Sequence, residues 1–137
     1  MLEQAKTPLA APACAHILLA EDDPAIREML ASTLRRDGHV VEPFPDGDEL
    51  LAHLETLVLE EGKGRPDLVV SDVSMPGVGG MEVLAAVRAA AIDVPFILIT
   101  AFADRDAHDR AYDLGAVMLE KPFLLNSFRE TVRWLVE

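Results

Sequence analysis

Five short apolar runs alternate with helix-like segments along most of this chain, and this alternation restricts the possible folds more than any other feature. Four of the runs show little alternation of polar and apolar residues, which is typical of parallel strands covered on both faces. The second run contains a proline, which favours a strand at the edge of a sheet. The runs are HILLA (16–20), HVVEPF (39–44), DLVVS (67–71), VPFILIT (94–100) and AVMLE (116–120).

The segments between the runs have the apolar spacing of amphipathic helices. In the first of them, Asp23 and Pro24 form a typical cap and first-turn pair. The fourth segment, DRDAHDRAYDLG, has few apolar anchors, so we expect it to have low local stability. Five strand–helix units with right-handed crossovers predict an α/β fold, a parallel sheet with helices on both faces. The residues predicted to form the core-facing stripe of each helix, in chain order, are Ile26, Met29, Leu30, Thr33, Leu34; Leu50, Leu51, Leu54, Leu57, Val58; Val83, Leu84, Val87; Ala107, Ala111, Leu114; and Leu124, Leu125, Phe128, Val132, Leu135.

The charge and cysteine content restrict the possible partners and compartments. The formal net charge is −12, which repels phosphate backbones and anionic membrane surfaces, so we expect no direct binding to nucleic acid. No apolar run approaches the roughly 20 residues of a membrane-spanning helix, so we expect no membrane insertion. The single cysteine, Cys14, cannot form an internal disulfide, which fits a reducing compartment and a cytoplasmic location.

The first fifteen residues, MLEQAKTPLAAPACA, differ in composition from the rest of the chain. Lys6 is their only basic residue, and two prolines interrupt a short apolar stretch, so the segment does not resemble an export signal. The sequence therefore predicts a flexible N-terminal extension over residues 1–15 and a single domain over residues 16–137.

Polar residues follow or end four of the five predicted strands. They are Glu21 and Asp22, Asp72, Thr100 and Lys121. Ligands of open α/β sheets bind at the carboxyl ends of the strands, so we expect these side chains to share one edge. Taken singly, each has an ordinary explanation as a turn residue, a strand terminus or a surface charge.

Three carboxylates gathered at one edge need a compensating cation. At about 4 Å and an effective dielectric constant near 20, each like-charged pair costs about 4 kcal/mol. Oxygen ligands of this kind suit Mg²⁺, which typically leaves room for phosphate oxygens. A carboxylate can be the nucleophile of a phosphoryl transfer, and Asp72, central in the predicted sheet, is the candidate. Lys121 and Thr100 are then positioned to offset charge on the transferred group.

Four stretches together resemble the receiver domain of two-component response regulators. They are LLAEDDP with Arg27 following, LVVSDVSMPGVGGMEVL, FILITAFAD and VMLEKPF, and the resemblance extends from about residue 16 to residue 137. It implies a flavodoxin-like, doubly wound sheet of five parallel strands in the order 2-1-3-4-5 with five helices. It also implies that Asp72 accepts a phosphoryl group from a histidine kinase or a histidine phosphotransfer protein.

The resemblance further implies a ligand set for Mg²⁺. Asp22 would contact the ion directly and Glu21 through water, and Asp72 and the backbone carbonyl of Ser74 would complete the set. In this family the peptide bond between the lysine and the following proline, here Lys121 and Pro122, is usually cis.

The switch residues implied by the resemblance are Thr100 and Met118. The family usually has an aromatic residue at the second of these positions, and this chain has a methionine. A flexible thioether fills a pocket in either orientation, which predicts a less two-state switch. Phe102 lies where the family tunes the access of water to the acyl phosphate.

The resemblance implies a signalling domain that catalyses only its own phosphoryl transfer and dephosphorylation. Its output would be altered binding to a downstream protein or to an output domain outside this chain, as a monomer or a weak, phosphorylation-dependent dimer. Two alternatives stay open. A pseudo-receiver would bind partners without accepting phosphate, an interpretation to which Met118 lends some weight. A hydrolase of the haloacid dehalogenase type would need a second aspartate where this chain has Ser74.

Overall fold

The computed structural model describes residues 14–60, 64–102 and 104–137. Within these ranges, strands and helices alternate as the sequence predicts. The strands are β1 (His16–Ala20), β2 (Val40–Phe44), β3 (Leu68–Asp72), β4 (Phe96–Thr100) and β5 (Val117–Glu120). The helices are α1 (Pro24–Arg36), α2 (Gly47–Leu59), α3 (Gly80–Ala89), α4 (Arg105–Asp113) and α5 (Leu125–Val136).

All five strands are parallel and form one sheet in the order β2-β1-β3-β4-β5. This confirms the predicted strand order and the edge position of the proline-containing strand. Every residue of β3 and β4 is buried, as their continuous apolar runs indicate. Four strands begin one or two residues later than predicted. At β4, for example, Pro95 lies before the first strand residue and has no N–H to donate to a neighbouring strand.

Two hydrophobic cores cover the two faces of the sheet. Helices α2, α3 and α4 pack on one face, where Leu18 of β1 and Leu98 of β4 are buried. Helices α1 and α5 pack on the other face over the adjacent residues Ile17 and Ile97, because successive strand residues point to opposite faces. The predicted stripe of α1 is wrong at Met29, which is 47% exposed.

The N-terminus of α1 is capped as predicted. The Asp23 side chain accepts hydrogen bonds from the backbone N–H groups of Ala25 and Ile26, and Pro24 occupies the first turn. This cap fixes the turn that follows the end of β1, so it determines where Glu21 and Asp22 lie.

The predicted N-terminal extension falls outside the described residues except for Cys14 and Ala15. Ala15 is buried, its N–H donates to His39 Nδ1 at 3.2 Å, and its carbonyl accepts the N–H of Val40. Among the described residues, no helix is long and apolar enough to cross a membrane.

An ion pair connects the end of α1 with α5. Arg129 donates through Nη2 and Nε to the two carboxylate oxygens of Asp37, at 2.7 and 2.9 Å. The hydrogen bond from the Arg129 guanidinium is the main reason why the pKa of Asp37 lies below its ordinary value. The bidentate geometry fixes the two helices relative to each other.

We expect Asp37→Asn to destabilise the fold at neutral pH and to have a smaller effect in acid. The pKa of Asp37 is lowered in the folded state, so its contribution is present above the unfolded value and is lost as the pH falls through the folded value. Urea unfolding at pH 7 and at pH 3 measures the difference in the free energy of unfolding between the variant and the wild type. Asp113→Asn, at an exposed position of α4, is the matched control. If Asp37→Asn lowers the free energy of unfolding equally at both pH values, the stabilisation does not come from the ionised Asp37 carboxylate.

Candidate functional site

The predicted polar residues meet at the carboxyl edge of the sheet. Glu21 and Asp22 follow β1, and Asp72 is the last residue of β3. One carboxylate oxygen from each of these three residues lies within 4.8 Å of the other two. Lys121 follows β5, and its Nζ lies 3.0 Å from Asp72 Oδ2 and 3.5 Å from Glu21 Oε1. The Lys121 N–H donates to the carbonyl of Thr100, which ends β4, at 2.7 Å. The edge is therefore built from the ends of four strands.

The site is closed on its inner side and open on its outer side. Glu21 is 1% exposed, Thr100 3% and Asp72 6%. Asp22 and Ser74 are exposed. A ligand can therefore approach from the side of Asp22, while the protein covers the other side of the Asp72 carboxylate.

The acidic cluster is only partly compensated by Lys121. Burial, with smaller contributions from the charge of Asp72 and from the Asp22 side chain, raises the pKa of Glu21 to about 7. Burial alone would lower the pKa of Lys121, but its hydrogen bond to Asp72 and the charges of Asp72 and Glu21 raise it. One ammonium group faces three carboxyl groups, so a further cation at this place is electrostatically favourable.

Backbone contacts hold Glu21 in place. The Arg27 guanidinium donates from Nη1 to the Glu21 carbonyl at 2.7 Å, and the Glu21 N–H donates to the Phe44 carbonyl at 3.1 Å. The N–H of Asp23 donates to Glu21 Oε2 at 3.2 Å. The sequence assigned Arg27 no role beyond its spacing from the acidic pair, and the structure identifies it as a positioning residue.

The loop after β3 orients the Asp72 carboxylate. The Ser74 N–H donates to Asp72 Oδ1 at 3.2 Å, while Lys121 holds Oδ2. Gly77 has φ 76°, and a Cβ at this position would lie 2.4 Å from Asp48 Oδ2. Only glycine fits this turn easily, which explains why the chain can reverse directly after the carboxylate.

Thr100 and Met118, the predicted switch residues, lie on the same face of the sheet. Met118 pairs with Leu98 in the register of β4 and β5, is half-buried, and packs against the core under α2, α3 and α4. Thr100 Oγ1 accepts the N–H of Phe102 at 3.0 Å. The Phe102 side chain is 93% exposed at the rim of the site.

The donor set fits Mg²⁺. Glu21, Asp22 and Asp72 are the only group of three metal-ligating side chains found in residues 14–60, 64–102 and 104–137. All three donors are carboxylate oxygens, which suit a hard cation, and the exposed Asp22 leaves room for water ligands. Lys121 alone does not neutralise them.

A family model described as the response regulator receiver domain matches residues 17–133. The chain belongs to the response regulator receiver family. This confirms the resemblance found in the sequence, and the strand order agrees with the CheY-like, flavodoxin-like fold. A receiver is a signalling domain rather than a conventional enzyme, and receivers bind Mg²⁺ at an acidic pocket such as this one.

The curated relatives are longer proteins. The C4-dicarboxylate transport transcriptional regulatory protein DctD of Pseudomonas aeruginosa is 37% identical over 123 residues, which are 89% of this chain and 25% of that protein. The transcriptional regulatory protein PdtaR of Mycobacterium tuberculosis is 37% identical over 113 residues, 81% of this chain and 51% of that protein. The chain thus spans a quarter of the length of the first relative and about half of the second.

Solved receiver structures superimpose well on this chain. The chemotaxis protein CheY4 of Vibrio cholerae has a TM-score of 0.76 at 31% identity, covering 90% of this chain and 99% of that one. The response regulator TrrA of Thermotoga maritima, solved in complex with Mg(2+)-BeF, has a TM-score of 0.74 at 29% identity, covering 88% and 98%. These matches extend over nearly the whole described domain.

Proposed function

We propose that this receiver domain is a phosphoacceptor switch in which Asp72 takes a phosphoryl group from a phosphohistidine. The observation that best supports this is the environment of the Asp72 carboxylate. It ends a central strand, lies 3.0 Å from the Lys121 ammonium, and shares its edge with Glu21 and Asp22 within 4.8 Å. The phosphohistidine would belong to a histidine kinase or to a histidine phosphotransfer protein.

In the proposed transfer, Asp72 attacks the phosphorus atom. A carboxylate oxygen forms a bond to phosphorus while the bond from phosphorus to the donor imidazole nitrogen breaks, and that nitrogen keeps the electron pair. Before the reaction, the Ser74 N–H and the Lys121 ammonium hold the two carboxylate oxygens at 3.2 and 3.0 Å, which fixes the plane of the nucleophile. The ammonium then offsets charge on the phosphoryl oxygens.

Asp22, Asp72 and the Ser74 carbonyl would hold Mg²⁺ directly, and Glu21 would hold it through water. When bound, Mg²⁺ offsets negative charge on the phosphoryl oxygens. Other residues of this chain position the site: Arg27 and Asp23 hold Glu21 at the edge through hydrogen bonds. Burial excludes water from the inner side of Asp72.

Thr100 and Met118 are the proposed switch. The Thr100 oxygen accepts a hydrogen bond from Phe102, so its own hydroxyl hydrogen remains available for a phosphoryl oxygen. A shift of Thr100 toward the phosphoryl group would pull on the loop before α4. Within the helix α4 itself, Ala111 is the only fully buried residue. Few buried contacts make α4 the element that is easiest to displace, and Met118 is flexible enough to fill the space in either state.

Receiver domains of response regulators interact with histidine kinases and output domains. For this chain we propose a cytoplasmic location, and a histidine kinase or a histidine phosphotransfer protein as the donor. The output would be a downstream protein or an output domain outside this chain, engaged by a monomer or a weak, phosphorylation-dependent dimer. The similar response regulator TrrA of Thermotoga maritima was solved in complex with Mg(2+)-BeF, which supports the proposal that this domain takes Mg²⁺.

Intact-protein mass after incubation with acetyl phosphate and Mg²⁺ tests the proposal. We expect a labile gain of one phosphoryl group that is absent when EDTA replaces Mg²⁺. A receiver domain with established phosphorylation by acetyl phosphate, treated in parallel, shows that the reagent is active. If that receiver is phosphorylated and this chain gains nothing from acetyl phosphate or from a phosphorylated kinase, the pseudo-receiver alternative is the better account. Repeated hydrolysis of a phosphate monoester, which has a poorer leaving group than acetyl phosphate, would favour the hydrolase alternative.

A further inference from the structure

Two histidines and a glutamate meet where the edge of the sheet lies under α2. His16 is the first residue of β1, and Glu42 lies in the middle of β2. Glu42 pairs with Leu18, whose side chain lies in the core under α2, α3 and α4, so both strand residues point to that face. His53 lies in α2. We call these three residues the histidine cluster, and none of them belongs to the acidic edge.

Glu42 presents one carboxylate oxygen to each histidine. His16 Nε2 lies 2.6 Å from Oε1, and His53 Nε2 lies 3.8 Å from Oε2. The first contact is a hydrogen bond, whereas the second is too long for one. The carboxylate therefore has a ring nitrogen on each side but satisfies only one of the two.

The Nε2 atom of His53 is a buried polar atom without a partner. Among residues 14–60, 64–102 and 104–137, it is the only buried side-chain nitrogen or oxygen that makes no hydrogen bond. The ring itself lies against Phe44, with the two ring centroids 5.3 Å apart. An unpaired buried polar group costs free energy, and a partner from solution, either water or an ion, removes that cost.

The ligand types of the histidine cluster are those of a zinc site rather than of a magnesium site. Imidazole nitrogen suits Zn²⁺, whereas Mg²⁺ prefers oxygen ligands such as those of the acidic edge. Two imidazoles and one carboxylate, with a position left for water, are a donor set that zinc uses in proteins. An ion rather than a water molecule is therefore the partner that fits all three side chains.

The two separations within the cluster lie on either side of the spacing that zinc requires. Zn–N and Zn–O distances of about 2.0–2.2 Å place neighbouring ligands of one ion roughly 3–3.5 Å apart. The pair with His16 is closer than this at 2.6 Å, and the pair with His53 is wider at 3.8 Å. Unlike the acidic edge, the cluster does not hold its three ligand atoms within 4.8 Å of one another, so binding requires the rings to turn. The two histidine side chains are 29% and 28% exposed, which leaves them room to do so.

We propose that the histidine cluster binds one Zn²⁺ ion through His16 Nε2, His53 Nε2 and the Glu42 carboxylate. The ion takes the place of the proton between His16 and Glu42, which is released to solvent, and it gives the His53 nitrogen its missing partner. The bound ion joins β1, the edge strand β2 and α2. It requires neither the acidic edge nor phosphorylation of Asp72, so its test is independent of the proposed function.

Imidazole ¹⁵N NMR of the whole chain, titrated with Zn²⁺ at neutral pH in the presence of excess Mg²⁺, tests this site. The excess Mg²⁺ competes for the oxygen ligands of the acidic edge. We expect the ring signals of His16 and His53 to shift together and to saturate, while those of His39 and His108 stay in place. Mg²⁺ alone should leave all four rings unchanged.

Substitutions separate binding by three ligands from binding by a single histidine–glutamate pair. His16→Gln and His53→Gln should each weaken Zn²⁺ at least about tenfold, a loss typical even of residues that only support a metal ligand. His108→Gln is the matched control, because it removes one histidine of a separate pair, 3.2 Å from Glu120. It should change the affinity less than about twofold. Competition with a zinc indicator measures these affinities, and the amide spectrum of each metal-free variant reports its fold.

The wild-type titration decides the proposal even where a variant fails to fold. Absence of saturable ring shifts at His16 and His53, or shifts confined to His108, would overturn it. An affinity loss in only one of the two cluster variants, or an equal loss in His108→Gln, would also overturn binding by three ligands.

Discussion

Asp72→Asn is expected to abolish phosphoryl uptake from acetyl phosphate while the domain stays folded. Asparagine has the same shape, so its amide oxygen can still accept from Ser74 or Lys121, but it has no nucleophilic carboxylate. The substitution also removes a negative charge that raises the pKa of Glu21, so the total repulsion within the acidic cluster should fall. Intact mass in the presence of Mg²⁺ measures uptake, and urea unfolding measures stability.

The neighbouring carboxyl groups provide the controls for this prediction. Glu21 is buried and its pKa of about 7 keeps a proton on it in part of the population, which makes it a poor nucleophile. Asp22 is exposed and is the more serious competitor. Asp22→Asn keeps Asp72 but removes a proposed metal ligand, so we expect slow, weakly Mg²⁺-dependent uptake rather than none. Full uptake by Asp72→Asn, together with complete loss in Asp22→Asn, would assign the phosphoryl group to Asp22.

The parallel sheet and the position of the acidic edge were predictable from coarse patterns, and the strand order was implied by the family resemblance. Continuous apolar runs indicate buried parallel strands, and right-handed connections between them leave few topologies. The carboxyl ends of such strands share one edge, so Asp72 and Lys121 were expected to be close despite their separation in the chain. The confirmed strand order and the family match support this part of the interpretation.

The first and last residues of individual strands and helices were less predictable, because hydrogen bonds rather than hydrophobicity determine them. Asp67 was assigned to a strand, but its carboxylate instead accepts the N–H of His16 at 2.8 Å, just before β3 begins. Met29 fits the apolar spacing of α1 and is nevertheless 47% exposed. Spacing identifies a helical face only to within about one residue on either side.

Contacts between distant side chains had no signal in the sequence. Nothing in the spacing of Asp37 and Arg129 indicates that they pair across two helices, nor that the Ala15 N–H selects a tautomer of His39. The pKa of Glu21 also depends on burial, which only the packed fold determines. The electrostatic properties of the acidic edge and of the Asp37–Arg129 pair therefore required the three-dimensional arrangement.

Phe128→Ala is expected to destabilise the domain by about 3–5 kcal/mol, because it removes a large side chain from a fully enclosed place. Phe128 is 0% exposed and lies in the core between α1, α5 and the sheet. Domains of this size are stable by roughly 5–15 kcal/mol, so the variant should lose a large part of its stability. Urea unfolding with a common slope for wild type and variant gives the difference in the free energy of unfolding.

Trp134→Ala on the same helix is the matched control. Trp134 is a larger aromatic residue than Phe128, but it is 74% exposed, so its removal should change the free energy of unfolding by no more than about 0.5 kcal/mol. A similar loss in the free energy of unfolding in the two variants would contradict the assignment of Phe128 to the buried face of α5. The inner face matters for the site as well, because the Phe128 ring packs against Phe123 at a centroid distance of 5.8 Å. Phe123 lies two residues after Lys121, so this contact connects the segment that contains the ammonium group to the core.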